Sequence, residues 1–547
     1  MGEAATLDPA YAYDTASHMV FGQIYETLIG FKGSSVSEFE PRLATQVPSK
    51  KNSLISFDLK TYKFPIRGGV RFHTGEELTC EDARYSILRF MITDRPGGPS
   101  AILLEPIAGT GSTRNDKGNI ALDLGQLMSQ VRCDDDNTLI ITLDKPFSPF
   151  LSIMASWSNV VSKKWAIANR EWDGTLDNWK KFNSPAKETS HFFDHANGTG
   201  PFELERWNKS RQTVTLIRNE KYWREPAKLK KIVIRRISEF TTRKLMLSQG
   251  DADAIIVSRQ FESQIAKIPG VTVADYDDMN VSAFLFNFKI NPTANPYIGS
   301  GKLDGNGIPA DFFTDPNVRA AFTYAYDLDT HIREISKGKA EPARGVIPKG
   351  LTGYNPEQLT YKFNLTKARE EMKKAFQGRL WEKGFKLTIP FNEGSDTPKA
   401  IANMFKRDIE SLNPKFKVRI RPLLWSTYLS DTATGKVPFA YAGWIADFPD
   451  PHNFVFTFLH SKGAYASRNS FSNPALDELI EDAIEETDPK KREDLYHAIT
   501  RLGFAQMPHI YSLTNKRLVV NRTWIKNHQS NPLHPNGYYF YPIYKAD

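Results

Sequence analysis

The chain has 547 residues, 40% of them hydrophobic and 24% charged, with a formal net charge of +8. That length is too great for one ordinary core and predicts two or three domains of ordinary globular composition. No apolar run approaches the ~18–20 residues of a membrane span. Two cysteines, Cys80 and Cys133, are too few for a cysteine-type metal cluster and leave one disulfide open.

The opening MGEAAT fits the myristoylation pattern of Gly2 with Thr6. It reads better as a trimmed or mis-assigned start ahead of a mature domain, with no signal peptide in this chain. SHMVFGQIYETLIGF then predicts an amphipathic helix followed by a turn. In TYKFPIRGG, Tyr62, Phe64 and Ile66 alternate with polar positions, which predicts a strand; Pro65 places it at a sheet edge. A turn at Gly68-Gly69 leads to a helix with Thr79 as N-cap and Glu81 and Asp82 in its first turn. DDDNTLIITLDKPF is a turn and a strand. GTGPFELERWNKSRQTVTLIRN is two strands around a polar turn, and KLKKIVIRRI is another strand. TTRKLMLSQGDADAII predicts a helix stopped at Gly250, then a short strand.

After about Asp278 longer helices alternate with strands. Asp315-Pro316 opens one helix, with Val318, Ala321, Phe322 and Ala325 on one face. A second carries Ile401, Met404, Phe405 and Ile409 inward; KVRIRPLLW and KVPFAYAGW are strand-like; a helix pair is punctuated by Asp488-Pro489 and ended by Pro508. Strands and helices mix in both halves, so the class is α/β or α+β. No repeat or low-complexity linker separates domains, which suits several chain crossings between them.

The basic runs EPAKLKKIVIRRI and DPKKREDLYH are short and mixed with acids or strand-like residues. They read as solvated faces, and no nucleic-acid partner is expected. Catalytic patterns are equally thin. GTGST lacks the last glycine of a nucleophile elbow, and GSGKLDG has Leu303 where a phosphate loop needs Ser or Thr. His191, Asp194 and His195 could ligate a metal from a helix, but Asn197, Gly198 and Gly200 favour a loop. Asp134–Asn137 lacks the calcium-loop spacing, and Asn197-Gly198-Thr199 is a glycosylation triplet that occurs often by chance.

One stretch stands out. YAGWIADFPDPHNF sets a carboxylate, Asp447, between Trp444 and Phe448. Burying it is costly unless a cation or hydrogen-bond donors meet it. It could dock a cationic ligand, ligate a metal, act as an acid with Asp450, or cap the following turn.

Several segments, in order, carry a resemblance: LDPAYAYDTASHMVFGQIYETLIGF, GGVRFHTGEELTCEDARYS, GTGPFELERW with LIRNEKYW, VRAAFTYAYDLD, ARGVIPKGLTGYNP and GWIADFPDPHNF. The chain resembles the extracellular solute-binding proteins of family 5, the dipeptide- and oligopeptide-binding receptors of ABC transporters. The resemblance implies an α/β, two-lobed periplasmic-binding-protein clamshell of type II, in the large cluster C form with an extra subdomain. The expected division is 1–31, lobe I; 32–184, an inserted subdomain; 185–275, lobe I again; 276–515, lobe II; and 516–547, a return to lobe I. It also implies no catalysis, no cofactor and no metal. A short peptide or peptide-like solute, a membrane-embedded ABC permease, a monomeric state and a periplasmic or lipid-anchored extracytoplasmic location are expected.

In the family's peptide receptors the Asp of GW-x-x-D receives the ligand's ammonium group, and Asp447 matches it. The expected ligand contacts are Asp447, Trp444, Trp425, Gly443, Ala446, Phe448 and Tyr441, with Tyr13 and His18 on the N-terminal border. Tyr441 stands where some relatives carry an Arg for a ligand carboxylate, and only Arg344 and Lys349 lie near as substitutes. The family also contains receptors for sugars, opines and metal complexes. A secreted hydrolase and a chemoreceptor adaptor are the readings from other classes.

Overall fold

A computed structural model describes residues 4–115, 117–534 and 537–546, so the Gly2 pattern lies outside the described residues. The chain packs into two units. The first comprises Met1–Ile237, Asp447–Pro449 and Arg522–Asp547; the second comprises Ser238–Ala446 and Asp450–Asn521. Residues 238–275 therefore pack with the second unit.

In the first unit the N-terminal helix α1 is only Thr15–Phe21. The longer helix expected there ends at Gly22, and the chain reaches a short extended segment at Ile29–Phe31. Asp14 caps α1 by accepting from the Ala16 and Ser17 amides. Strand β1 (Thr61–Pro65) is an edge strand, as Pro65 requires. Helix α2 (Cys80–Thr93) starts at Thr79, whose amide donates to the Asp82 carboxylate at 2.9 Å. Strands β2 (Val131–Cys133) and β3 (Thr138–Thr142) complete an antiparallel sheet ordered β1-β3-β2. Helix α3 (Phe150–Trp157) follows. Strands β4 (Phe202–Asn208), β5 (Thr213–Arg218) and β6 (Lys231–Arg235) form a second antiparallel sheet, with a bulge between Leu204 and Arg206.

Cys80 and Cys133 are joined in a disulfide that ties the start of α2 to β2 across 53 residues of sequence. Such a link restricts the unfolded chain, and a closed loop of this length is stabilising. Replacing both cysteines by alanine is expected to cost about 2–4 kcal/mol. Urea unfolding under non-reducing conditions measures this; an unchanged midpoint would contradict it.

Two buried polar clusters draw on the segments behind the resemblance. Asp8 of LDPA meets Arg89 of α2 in a two-pronged ion pair, both bonds 2.7 Å, and Glu171 lies 3.2 Å from the same guanidinium. All three side chains are buried. The second case is the Glu26 carboxylate, also buried. It accepts from Tyr222 Oη at 2.6 Å, Trp223 Nε1 at 2.8 Å and Thr199 Oγ1 at 2.9 Å. Burial raises its pKa despite those donors. Gly198 and Gly200 flank Thr199 because a Cβ at either would overlap the Ile24 carbonyl. Asn197 and Thr199 are fully buried, so the glycosylation triplet is not on the surface.

The second unit begins with helix α4 (Phe240–Gln249), stopped by Gly250 at φ +85°, as the sequence predicts. The short strand expected after it is reduced to one bridge, Ala254 with Asn521. Strand β7 (Asn280–Phe286) is buried along its length. Helix α5 (Pro316–Tyr324) is capped by Asp315 and ends before Ala325, so the expected long helix breaks there. Strand β8 (Phe385–Asn392), helix α6 (Asp396–Glu410) and strand β9 (Phe416–Leu423) make a parallel βαβ unit. Then come α7 (Trp425–Ala433), β10 (Phe439–Ile445), α8 (Pro451–Leu459), the pair α9 (Pro474–Glu485) and α10 (Pro489–Gln506), and β11 (His509–Tyr511). The central sheet is antiparallel, ordered β10-β7-β11. Phe284, Phe286, Phe322, Phe405 and Phe439 fill the core beside it.

His331 and His509 are buried in this unit, at 1% and 0% exposure. Burial pushes both imidazoles down to about 4. The unfolded chain takes up these protons near the ordinary value of 6.5, before the native state does. Stability is therefore expected to fall as pH drops from about 6.5 towards 4. Urea midpoints across that window test this, and a flat profile would contradict it.

Candidate functional site

The stretch around Asp447 is divided between the two units. Tyr441 to Ala446 belong to the second and Asp447 to Pro449 to the first.

In the first unit, Tyr13 Oη donates to Asp447 Oδ2 at 2.8 Å, and Trp157 Nε1 donates to the Asp447 carbonyl at 3.2 Å. The Tyr13 and Trp157 rings meet edge-on, centroids 5.7 Å apart. His18 stacks on Phe21 at 4.6 Å and leans against Trp157 at 5.7 Å. These apolar surroundings push the His18 imidazole down to about 4, so it is neutral at physiological pH. Three expected residues thus come together: Asp447, Tyr13 and His18. Phe448 beside them is buried. Trp157, which grips the Asp447 backbone, was missed from the sequence, because SIMASW reads simply as an apolar helix face.

The cluster has a defined chemistry. The tyrosine hydroxyl orients one carboxylate oxygen. The tryptophan fixes the peptide that carries it. A neutral His18 imidazole adds no positive charge of its own beside the carboxylate. A primary ammonium is a fitting partner, since charge-assisted N–H···O bonds are roughly twice as strong as neutral ones.

The second-unit residues are set differently. On β10 the Gly443 backbone is exposed, and its carbonyl accepts from Tyr465 Oη at 2.8 Å. Trp444 is buried to 9% exposure. It donates to Asn453 Oδ1 at 2.9 Å and meets the Tyr465 ring edge-on at 5.2 Å. Ala446 is buried, and its amide donates to the Met279 carbonyl at 2.9 Å. The Tyr441 ring lies 4.9 Å from Phe284 and 6.1 Å from His331, and its hydroxyl, hydrogen-bonded towards Ser282 and Ser512, is raised by burial. Trp425 opens α7 half-buried and stacks with Tyr428 at 5.8 Å; Tyr428 Oη donates to the Tyr441 carbonyl at 3.1 Å.

Asp450 is held for structure. It caps α8 through the His452 amide at 2.9 Å and pairs with buried Arg492 at 2.9 and 3.0 Å. Arg344 donates to the Gln358 carbonyl at 2.6 Å, and exposed Lys349 sits 3.3 Å from Glu341. His191 and His195 stack at 4.2 Å, and Asp194 pairs with Lys209 at 2.7 Å. Among the described residues no group of three metal-ligating side chains is assembled, and no helix is long and apolar enough to cross a membrane.

Comparison with known proteins gives the family. The model of the bacterial extracellular solute-binding proteins, family 5, middle region, matches residues 38–466. The chain belongs to that family. It is 24% identical over 552 aligned residues to the dipeptide-binding protein DppE of Bacillus subtilis, covering 98% of this chain and 89% of the relative. It is 26% identical to heme-binding protein A of Haemophilus influenzae, covering 89% and 81%. Among solved structures, the periplasmic binding protein DppA of Helicobacter pylori in complex with the peptide STSA superposes with a TM-score of 0.79 at 26% identity, over 100% of this chain and 96% of that one. The fold is that of the family's periplasmic binding proteins.

Proposed function

We propose that this protein is a non-enzymatic, extracytoplasmic receptor that binds a short peptide or peptide-like solute and passes it to a membrane-embedded ABC permease. The observation that carries the reading is the Asp447 carboxylate, held by Tyr13 and backed by Trp157, in a family whose relatives include dipeptide-binding proteins. Asp447 receives the α-ammonium group of the ligand. Trp444, Trp425 and Gly443 supply further contacts, with Tyr441, Ala446, Phe448 and His18 shaping the surroundings. The disulfide suits an oxidising compartment outside the cytoplasm. The hydrolase reading loses its support, because the Asp450 carboxylate is already committed to a helix cap and an ion pair.

Relatives of similar identity are named for heme as well as for dipeptides, so kinship alone does not set the solute. Native mass spectrometry of the purified protein, followed by denaturation and identification of what is released, tests the proposal. A family of masses fitting short peptides is the expected result. A single sugar, opine or metal complex would overturn the peptide assignment while keeping the receptor class.

A further inference from the structure

We propose that the outer face of the β4-β5-β6 sheet docks the protein on an anionic phospholipid surface. Residues 202–236 hold eleven lysines and arginines against four glutamates, a net of +7. The whole chain carries +8, so all the rest contributes +1. In sequence these cations are scattered among strand residues and read as ordinary solvated faces. Antiparallel pairing gathers them. Lys231, Val233 and Arg235 of the edge strand β6 are exposed while Ile232 between them is buried. Val233 lies opposite Thr215, and on the other side of Thr215 lies Arg206.

Edge strands often carry lysine simply to prevent pairing with another chain. That explains Lys231 and no more, because the cations continue beyond the edge into the connecting turns. Lys209 and Arg211 are exposed between β4 and β5; Lys221, Lys228 and Lys230 are exposed between β5 and β6. The acids nearby neutralise only a few: Lys231 pairs with Glu205 at 2.8 Å, Arg218 with Glu220 at 2.7 Å and Lys209 with Asp194 at 2.7 Å. Among the described residues, Arg206, Arg211, Lys221, Lys230 and Arg235 have no carboxylate within ion-pair distance. Lys228 lies 4.3 Å from the centre of the Tyr544 ring, next to Lys545 and paired in register with Lys526, which extends the basic surface.

Cations spread over an open sheet and its turns match an anion array that is itself broad and mobile. Headgroups of a bilayer provide that, and each lysine or arginine near such a surface adds to the attraction. Val233, 57% exposed at the centre of β6, gives the face a small apolar tip. None of these cations is among the residues seen to hold Asp447, so this surface does not depend on the solute assignment.

The test is flotation of the intact protein with phosphatidylcholine vesicles, with and without phosphatidylglycerol, at low and high salt. One variant combines Lys228→Glu, Lys230→Glu and Arg235→Glu. A charge-matched control combines Lys417→Glu, Arg419→Glu and Arg421→Glu, three exposed positions on β9. Circular dichroism confirms that both fold. The wild type is expected to float only with the anionic vesicles and to be released by salt. The sheet variant is expected to lose binding by about tenfold or more, and the β9 control to keep most of it. Equal losses in the two variants would reduce the effect to net charge and overturn the proposal. So would flotation indifferent to phosphatidylglycerol, or binding to heparin or DNA without binding to vesicles.

Discussion

Asp447→Ala is expected to weaken an amine-bearing ligand by about 2–5 kcal/mol, the range for truncating one partner of a desolvated, hydrogen-bonded charge pair. In affinity that is roughly thirtyfold to several thousandfold. Tyr13 Oη already occupies one carboxylate oxygen, so the carboxylate is aimed before the ligand arrives and little ordering cost opposes binding. Most of the penalty comes from the ligand's ammonium, left without its counter-charge on the protein. Asp447→Asn keeps the shape and an oxygen acceptor for Tyr13, so it isolates charge from packing. Titration calorimetry with a dipeptide measures both variants, and wild-type affinity in either would remove Asp447 as the amine dock. Thermal unfolding of the free protein should change little, because the site serves the ligand and not the core.

Arg89→Met is expected to destabilise the protein by about 3–5 kcal/mol, the usual result of breaking a buried ion pair from one side. Asp8 and Glu171 both face the guanidinium, at 2.7 and 3.2 Å, and all three side chains are at most 6% exposed. Ser190 Oγ sits between the two carboxylates at 3.2 and 2.9 Å, but one hydroxyl cannot replace the lost cation. Removing Arg89 leaves two buried anions together. The combination Arg89→Met, Asp8→Asn, Glu171→Gln removes those charges and should recover a good part of the loss, as replacement of a whole buried ion cluster often does. Urea midpoints of the two variants give the comparison. A single variant as stable as the wild type would show that the cluster contributes nothing.

What could be read from the sequence was local. The Thr79 cap, the edge position of Pro65 and the Gly250 stop each follow from a few neighbouring residues, and each is where the structure has it. The extent of α1 was not readable, because apolar residues from Met19 to Leu28 keep an amphipathic look while the chain turns at Gly22 to reach a strand. Pairings distant in sequence were invisible for a different reason. Nothing near Asp8 announces Arg89, 81 positions away, and nothing near Asp447 announces Trp157, 290 positions away. The segments GTGPFELERW and LIRNEKYW carried the resemblance without showing what their residues do, which in the fold is to let Thr199, Tyr222 and Trp223 satisfy Glu26. The net +7 of residues 202–236 can be counted in the sequence, but which of those cations share a face cannot, since that follows from the β4-β5-β6 pairing.

The central claim is that a peptide-like ligand is held through its free amine at Asp447. Calorimetry of the wild-type protein with one dipeptide, offered with a free amino terminus and again N-acetylated, tests it most directly. The expected result is binding of the free form and a loss of about a hundredfold or more on acetylation, which removes the charge from the pair. Equal affinity for the two forms would contradict it.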